Sequence, residues 1–234
     1  MTDNHIINAV GLTKRFGRVE ALKDLSLNLD KGKLIGLLGP NGSGKTTFIK
    51  LMAGLLKPDA GEIYIDGMEP SWETKAIISY LPEHTYFDES MKVQRLIDKF
   101  ADFYADFEPE RARRMMDDLK IDPGAVLKSL SKGNREKVQL ILVMSRQARL
   151  YLLDEPIGGV DPAARDYILN TIIANYNEEA TVLISTHLIS DVEQILDEVV
   201  FIREGRLVLH KSVDDIREER RQSVDECFRE VFKC

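Results

Sequence analysis

Gly39-Pro40-Asn41-Gly42-Ser43-Gly44-Lys45-Thr46-Thr47 has the spacing G-x-x-x-x-G-K-[ST] of a phosphate-binding loop. The residue types follow from the chemistry. Gly42 and Gly44 allow backbone conformations that a side chain would block, so N–H groups can turn inward around phosphate oxygens. A helix starting near Lys45 aims its partial positive charge at the same point. Lys45 adds a full charge for the outer phosphates, and the Thr46 hydroxyl suits Mg²⁺. Outward from the loop, Leu34-Ile35-Gly36-Leu37-Leu38 reads as a buried strand entering it, and Thr47 to Met52 as a helix leaving it. The loop alone does not separate kinase, GTPase, motor and transporter.

The chain has 234 residues, 30% charged and 44% hydrophobic, with a formal net charge of −7 and a pI near 5.3. That length suits one large α/β domain, or such a domain with a small insertion. The acidic balance argues against a broad nucleic-acid or acidic-lipid surface. No apolar run approaches the ~20 residues of a membrane span. The start, Met1 to His5, lacks the basic and apolar regions of a signal peptide. The two cysteines, Cys227 and Cys234, would stand about 10 Å apart along one helix, beyond the ~7 Å reach of a disulfide. A reduced, cytoplasmic protein is expected.

In chain order, residues 6–10 suggest a short strand, Thr13 to Gly17 a turn, and the alternating Leu25-Ser26-Leu27-Asn28-Leu29 a half-buried strand. Glu62 to Ile65 and Ala76 to Leu81 are further strands. Residues 88–128 then carry helical periodicity. Val93, Leu96, Ile97, Phe100, Phe103, Tyr104 and Phe107 form one apolar stripe, read as the core of a helical insertion. Pro109 suits a first helical turn. Strand–helix alternation resumes with Leu150 to Leu153, a helix capped by Asp161 with Pro162 following, and Ala180 to Ser185. A hairpin-like pair surrounds Gly205, and residues 212–233 read as helix, with Val224, Cys227, Phe228, Val231 and Phe232 on one face.

Asp154-Glu155 ends an apolar strand about a hundred positions after the loop. Paired carboxylates there can hold Mg²⁺ and activate the attacking water. At this point nearly the whole chain resembles the nucleotide-binding domains of ATP-binding cassette (ABC) transporters. Phe16 stands at the adenine-stacking aromatic, Gly39 to Thr47 at Walker A, and Glu83 of Tyr80-Leu81-Pro82-Glu83 at the Q-loop. Leu130-Ser131-Lys132-Gly133-Asn134 stands at the signature motif, Leu150 to Glu155 at Walker B, Gly158 to Asp161 at the D-loop, and His187 at the switch histidine. Three residue types depart from the usual pattern. Glu83 replaces glutamine but can still ligate Mg²⁺. Leu-Ser-Lys-Gly-Asn replaces LSGGQ, keeping Ser131 and Gly133 and adding Lys132, a cation that could face phosphate or solvent. Phe16 replaces the commoner tyrosine and can still stack.

The resemblance implies an α/β P-loop NTPase fold, a RecA-like mixed sheet with an N-terminal antiparallel β-subdomain and an inserted α-helical subdomain. The implied division is core at 1–87 and 135–211, helical subdomain at 88–134, and helical tail at 212–234. It implies an ATPase with ATP and Mg²⁺ as cofactors. Lys45 and the loop would hold the phosphates; Thr46, Glu83 and Asp154 the metal. Glu155 would be the general base, and His187 would position the γ-phosphate and water. Ser131 and Gly133 would act in trans on the nucleotide of a second ATP-binding subunit, identical or paralogous, in a head-to-tail dimer that Asp161 couples. The partner would be a membrane-spanning permease subunit, with the chain peripheral on the inner face of the cell membrane. Tyr86 and Phe87, after the Q-loop, would stay partly exposed as a docking groove. The compact form suggests export. The alternative is a non-transport ABC ATPase acting on nucleic acid or ribosomes, for which coiled coils, zinc modules, basic arms or a second cassette are not seen. A GTPase is disfavoured, since no Asn-Lys-x-Asp motif occurs.

Overall fold

A computed structural model describes residues 4–160, 162–177 and 179–232. Two long antiparallel strands open the chain, β1 (His5–Phe16) and β2 (Val19–Asp30). The segment expected as a turn at Thr13 to Gly17 is strand as far as Phe16. Phe16 pairs with Val19, so the reversal is confined to Gly17-Arg18. In β2 the alternation holds: Leu25, Leu27 and Leu29 are buried, Ser26 and Asn28 exposed.

Next come β3 (Leu34–Leu38), α1 (Lys45–Met52) and β4 (Ala60–Ile65), which pairs with β1 to complete a three-stranded antiparallel sheet. Helix α2 (Trp72–Ile77) corrects the expected strand at Ala76 to Leu81. The Ser71 N–H donates to the Thr74 hydroxyl at 2.9 Å, a start signal that draws Ala76 and Ile77 into a helix. Only Ile78–Leu81 forms the strand, β5.

The insertion contains α3 (Val93–Phe103), α4 (Pro109–Asp118) and a 3-10 turn, and leads into α5 (Lys132–Met144). Val93, Leu96, Ile97, Phe100 and Phe107 are buried as the stripe implies, but Phe103 is 80% exposed. It lies at the stripe's edge, roughly 60° round the helix from Phe100, and α3 ends there.

The rest comprises β6 (Leu150–Asp154), α6 (Pro162–Asn175), β7 (Thr181–Thr186), α7 (Ile189–Val192), β8 (Glu198–Arg203), β9 (Arg206–Ser212), α8 (Val213–Arg220) and α9 (Val224–Phe232). The second sheet runs β5-β6-β7-β3-β8-β9, with only the β8–β9 pair antiparallel. Every residue of β3, β6 and β7 is buried, as strands covered on both faces require. The single tail helix expected is two helices, broken at Arg221, whose φ is +53°. Val224, Cys227 and Phe232 are buried, and Phe228 and Val231 pack on the same core, so this face is covered by its own domain. Asp161 and Cys234 lie outside the described residues. No helix among the described residues is long and apolar enough to cross a membrane.

Candidate nucleotide-binding site

The C-terminal ends of β3, β6 and β7 bring most of the predicted residues together around a cleft of about 830 Å³, in the size range of small-ligand sites. The loop between β3 and α1 forms its floor. Gly44 has φ +111°, and a Cβ there would lie 2.6 Å from the Ala21 carbonyl oxygen. A Cβ on Gly39 would lie 2.3 Å from the Ile202 carbonyl oxygen. Both positions need glycine for the loop to sit this close to the strands behind it. Asn41, Gly42, Ser43, Gly44, Thr46 and Thr47 all line the cleft; Gly39 and Pro40 do not, and Pro40 is exposed.

Lys45 is 5% exposed. Its Nζ donates to the Gly39 carbonyl at 2.8 Å and the Pro40 carbonyl at 3.4 Å, and stands 3.4 Å from Glu155 Oε1. Thr46 Oγ1 donates to Asp154 Oδ1 at 3.1 Å, and Ser185 Oγ donates to the same oxygen at 2.6 Å. Burial pushes the Asp154 carboxyl above its usual range; Ser185 and Thr46 oppose this, and the charges of Glu83 and Glu155 add to it. A cation would relieve that crowding.

Glu155 holds a left-handed backbone conformation, φ +50°, which is uncommon for a residue with a side chain. Its N–H donates to the Ser185 carbonyl at 3.1 Å and the Ser185 hydroxyl at 3.0 Å. These contacts turn its carboxylate from the strand end toward Lys45 and His187, whose Nδ1 is 3.0 Å from Oε2. His187 itself is half exposed on the cleft wall. Glu83 also lines the cleft on the loop after β5, with Phe16 at the far end beneath Lys14 Nζ, 5.7 Å from its ring centroid.

The signature residues sit apart. Ser131 caps α5, its Oγ accepting from the Asn134 N–H at 3.2 Å, and nothing lies within 4 Å of a Cβ built on Gly133. Neither lines the cleft, whereas Lys132, Arg135 and Glu136 of the same helix do. Sequence reading missed two residues. Ser185 was legible only as a strand end, yet it fixes both Asp154 and Glu155. Gln139, buried on α5, donates to the Pro82 carbonyl at 3.4 Å beside Glu83; a lone amide within the apolar run Val138 to Met144 was its only trace.

The donor set fits a phosphate and a hard cation. Ser43 Oγ and Asp154 Oδ2 are buried without a partner. Among the described residues no three His, Cys, Asp or Glu side chains form a metal cage. An ion held by Thr46 and Asp154 would therefore draw further ligands from phosphate oxygens and water, as Mg²⁺ commonly does.

Comparison with known proteins agrees with this geometry. The ABC transporter family model matches residues 22–158. An uncharacterized ABC transporter ATP-binding protein, YcbN of Bacillus subtilis (strain 168), is 30% identical over 94% of this chain and 74% of its own length. The SkfA peptide export ATP-binding protein SkfE of the same organism is 28% identical over 92% of each chain. A solved structure of an ATP binding subunit of an ABC transporter superposes with a TM-score of 0.86 at 27% identity, covering 97% of this chain and 99% of that one. With the phosphate loop, the Asp154-Glu155 strand end and His187 facing one cleft, the chain belongs to the ABC transporter family as an ATP-binding subunit.

Proposed function

We propose that the chain hydrolyses Mg²⁺–ATP at a site shared between two subunits and so drives export through a separate membrane permease. The observation that carries this reading is the placement of Glu155, between Lys45 at 3.4 Å and His187 at 3.0 Å, at the rim of the phosphate loop. Lys45 and the loop N–H groups bind the phosphates. Thr46 and Asp154, with Glu83 nearby, hold Mg²⁺, which when bound neutralises phosphate charge. Glu155 takes the proton of the attacking water, and His187 orients that water and the γ-phosphate. Phe16 stacks on adenine.

Ser131 and Gly133 stand away from this cleft, at the N-terminus of α5, where free N–H groups suit an anion. In the proposed head-to-tail dimer they close over the partner's nucleotide, and Asp161 joins the two sites. ATP then acts as an adhesive that hydrolysis removes. The chain divides into a core at 1–87 and 135–211, a helical subdomain at 88–134 and a helical tail at 212–234. Tyr86 is 62% exposed and Phe87 half-buried against Phe100, at 5.9 Å between ring centroids. This pair, beside Glu83, suits a cytoplasmic segment of the permease. Similarity to a peptide-export ATP-binding protein supports the outward direction.

The test is Glu155→Gln in the full chain. Turnover should fall at least a hundredfold, ATP binding should persist, and ATP should shift the chain to a dimer by light scattering. Intact turnover would remove Glu155 as the base; retained monomer with ATP would remove the shared site.

A further inference from the structure

Tyr80 carries a hydroxyl that the fold alone does not explain. It stands in β5 opposite Leu152 of β6, and packs on the apolar cluster that includes Phe48, Ile49, Ile78 and Leu152. Its hydroxyl oxygen is buried and without a partner. Leaving a buried hydroxyl unbonded is destabilising. Phenylalanine would fill the same apolar space without that cost.

The position says what the hydroxyl faces. Side chains alternate along a strand, so Tyr80, Leu152 and Asp154 share one face of the parallel β5–β6 pair. Asp154 Oδ2, two residues beyond Leu152, is also buried without a partner, and so is Ser43 Oγ across the loop. Ser43 and Asp154 line the cleft, and Tyr80 stands behind Asp154 on the same face of the strand pair. Burial raises the Tyr80 pKa, and the nearby Asp154, Tyr86 and Glu83 add to it; the hydroxyl stays neutral, able both to accept and to donate.

We infer that Tyr80 is a positioning residue for the metal–nucleotide complex, its hydroxyl and Asp154 Oδ2 together holding a water ligand of the cation. Mg²⁺ retains several waters. A metal-bound water offers two hydrogens, and Asp154 Oδ2 and Tyr80 Oη are two acceptors in need of them. Tyr80 never touches the nucleotide. It acts as an outer partner that fixes the orientation of the metal's own ligands. The inference rests on the proposed role of Asp154 as a metal residue.

The experiment compares Tyr80→Phe and Asp154→Asn with the wild-type full chain. Mn²⁺ binding to the ATP-loaded protein is read by electron paramagnetic resonance, and ATP binding is titrated in EDTA. Tyr80→Phe should weaken Mn²⁺ on the order of tenfold, leave ATP affinity in EDTA unchanged, and keep or raise the melting temperature. Asp154→Asn should weaken Mn²⁺ further. If Asp154→Asn weakens Mn²⁺ and Tyr80→Phe does not, the role of Tyr80 is overturned and that of Asp154 stands. If neither does, the metal assignment of Asp154 fails and takes Tyr80 with it. Equal loss of ATP affinity with and without metal in Tyr80→Phe would make it a packing residue and overturn the inference.

Discussion

His187 Nδ1 lies 3.0 Å from Glu155 Oε2, joining the end of β7 to the end of β6 across the cleft. The contact holds the proposed base beside the loop without burying the imidazole, which is 44% exposed. His187→Ala should therefore act on turnover more than on binding. Phosphate-release kinetics are expected to show kcat lower by a hundredfold or more, with KM little changed. A rise in KM at constant kcat would instead make His187 a ground-state contact to nucleotide.

Gly44 and Gly133 separate a structural need for glycine from a functional one. At Gly44, φ +111° and the Ala21 oxygen 2.6 Å from a Cβ make alanine strained. Gly44→Ala should lose about 1–3 kcal/mol of unfolding free energy and its stabilisation by ATP, both read by denaturant melts. Gly133 has open space around it and lies in the first turn of α5, where alanine favours helix by up to about 1 kcal/mol. Gly133→Ala should melt no lower than wild type yet lose ATP-dependent dimerisation if, as proposed, the added methyl meets the partner's phosphate. Normal dimerisation would place Gly133 outside the composite site.

The phosphate loop and the Asp154-Glu155 strand end were legible because their chemistry is local: glycines at fixed spacing, a buried run ending in acids. Alternation in Leu25 to Leu29 likewise needed no tertiary information. The misreadings have separate physical causes: a capping signal a few residues upstream, a pairing with distant chain, and the end of a helix. Ala76-Ile77 look like strand until Ser71 and Thr74 start a helix ahead of them. Thr13 to Phe16 look like a turn until pairing with β2 and Asp59 extends them; the Arg15 N–H donates to Asp59 at 2.6 Å. Phe103 fits a helical stripe by count, but the helix ends before a neighbour covers it. Ser185 could not be found at all, since its role depends on β6 and β7 lying side by side.

Asp66 supplies a pH-dependent tie between the two sheets. Its carboxylate meets Lys31 Nζ at 2.6 Å and Arg149 Nη1 at 2.8 Å. The Lys31 hydrogen bond, and then that of Arg149, hold its pKa below the ordinary 3.8, with burial opposing. The unfolded chain then binds more protons in acid than the folded one. The stabilisation is present above the ordinary value and lost as pH falls through the lower folded one. Asp66→Asn should melt below wild type at pH 7, by a small margin because Lys31 and Arg149 are partly solvated. Melting curves from pH 7 to about pH 2 should bring the two together at the acid end. A gap that stayed constant across that range would show that Asp66 acts through its turn geometry rather than its charge.

Arg146 joins the helical insertion to the strand that leads to Glu83. It is 2% exposed. Its Nε and Nη2 donate to Asp106 at 2.9 and 3.0 Å, its Nη1 to the Ile78 carbonyl at 2.5 Å, and its Nη2 also to the Ala76 carbonyl at 2.6 Å. The guanidinium lies 3.8 Å from the Tyr104 ring centroid. Arg146→Ala would leave a carboxylate and two carbonyls unpaired, and should cost about 3–5 kcal/mol in denaturant unfolding. Arg146→Lys keeps the charge but not the planar fork that serves Asp106 and both carbonyls at once. It should fall between the two, with most of the loss retained. Lysine restoring full stability would mean that charge alone, and not the geometry of the fork, secures the insertion to β5.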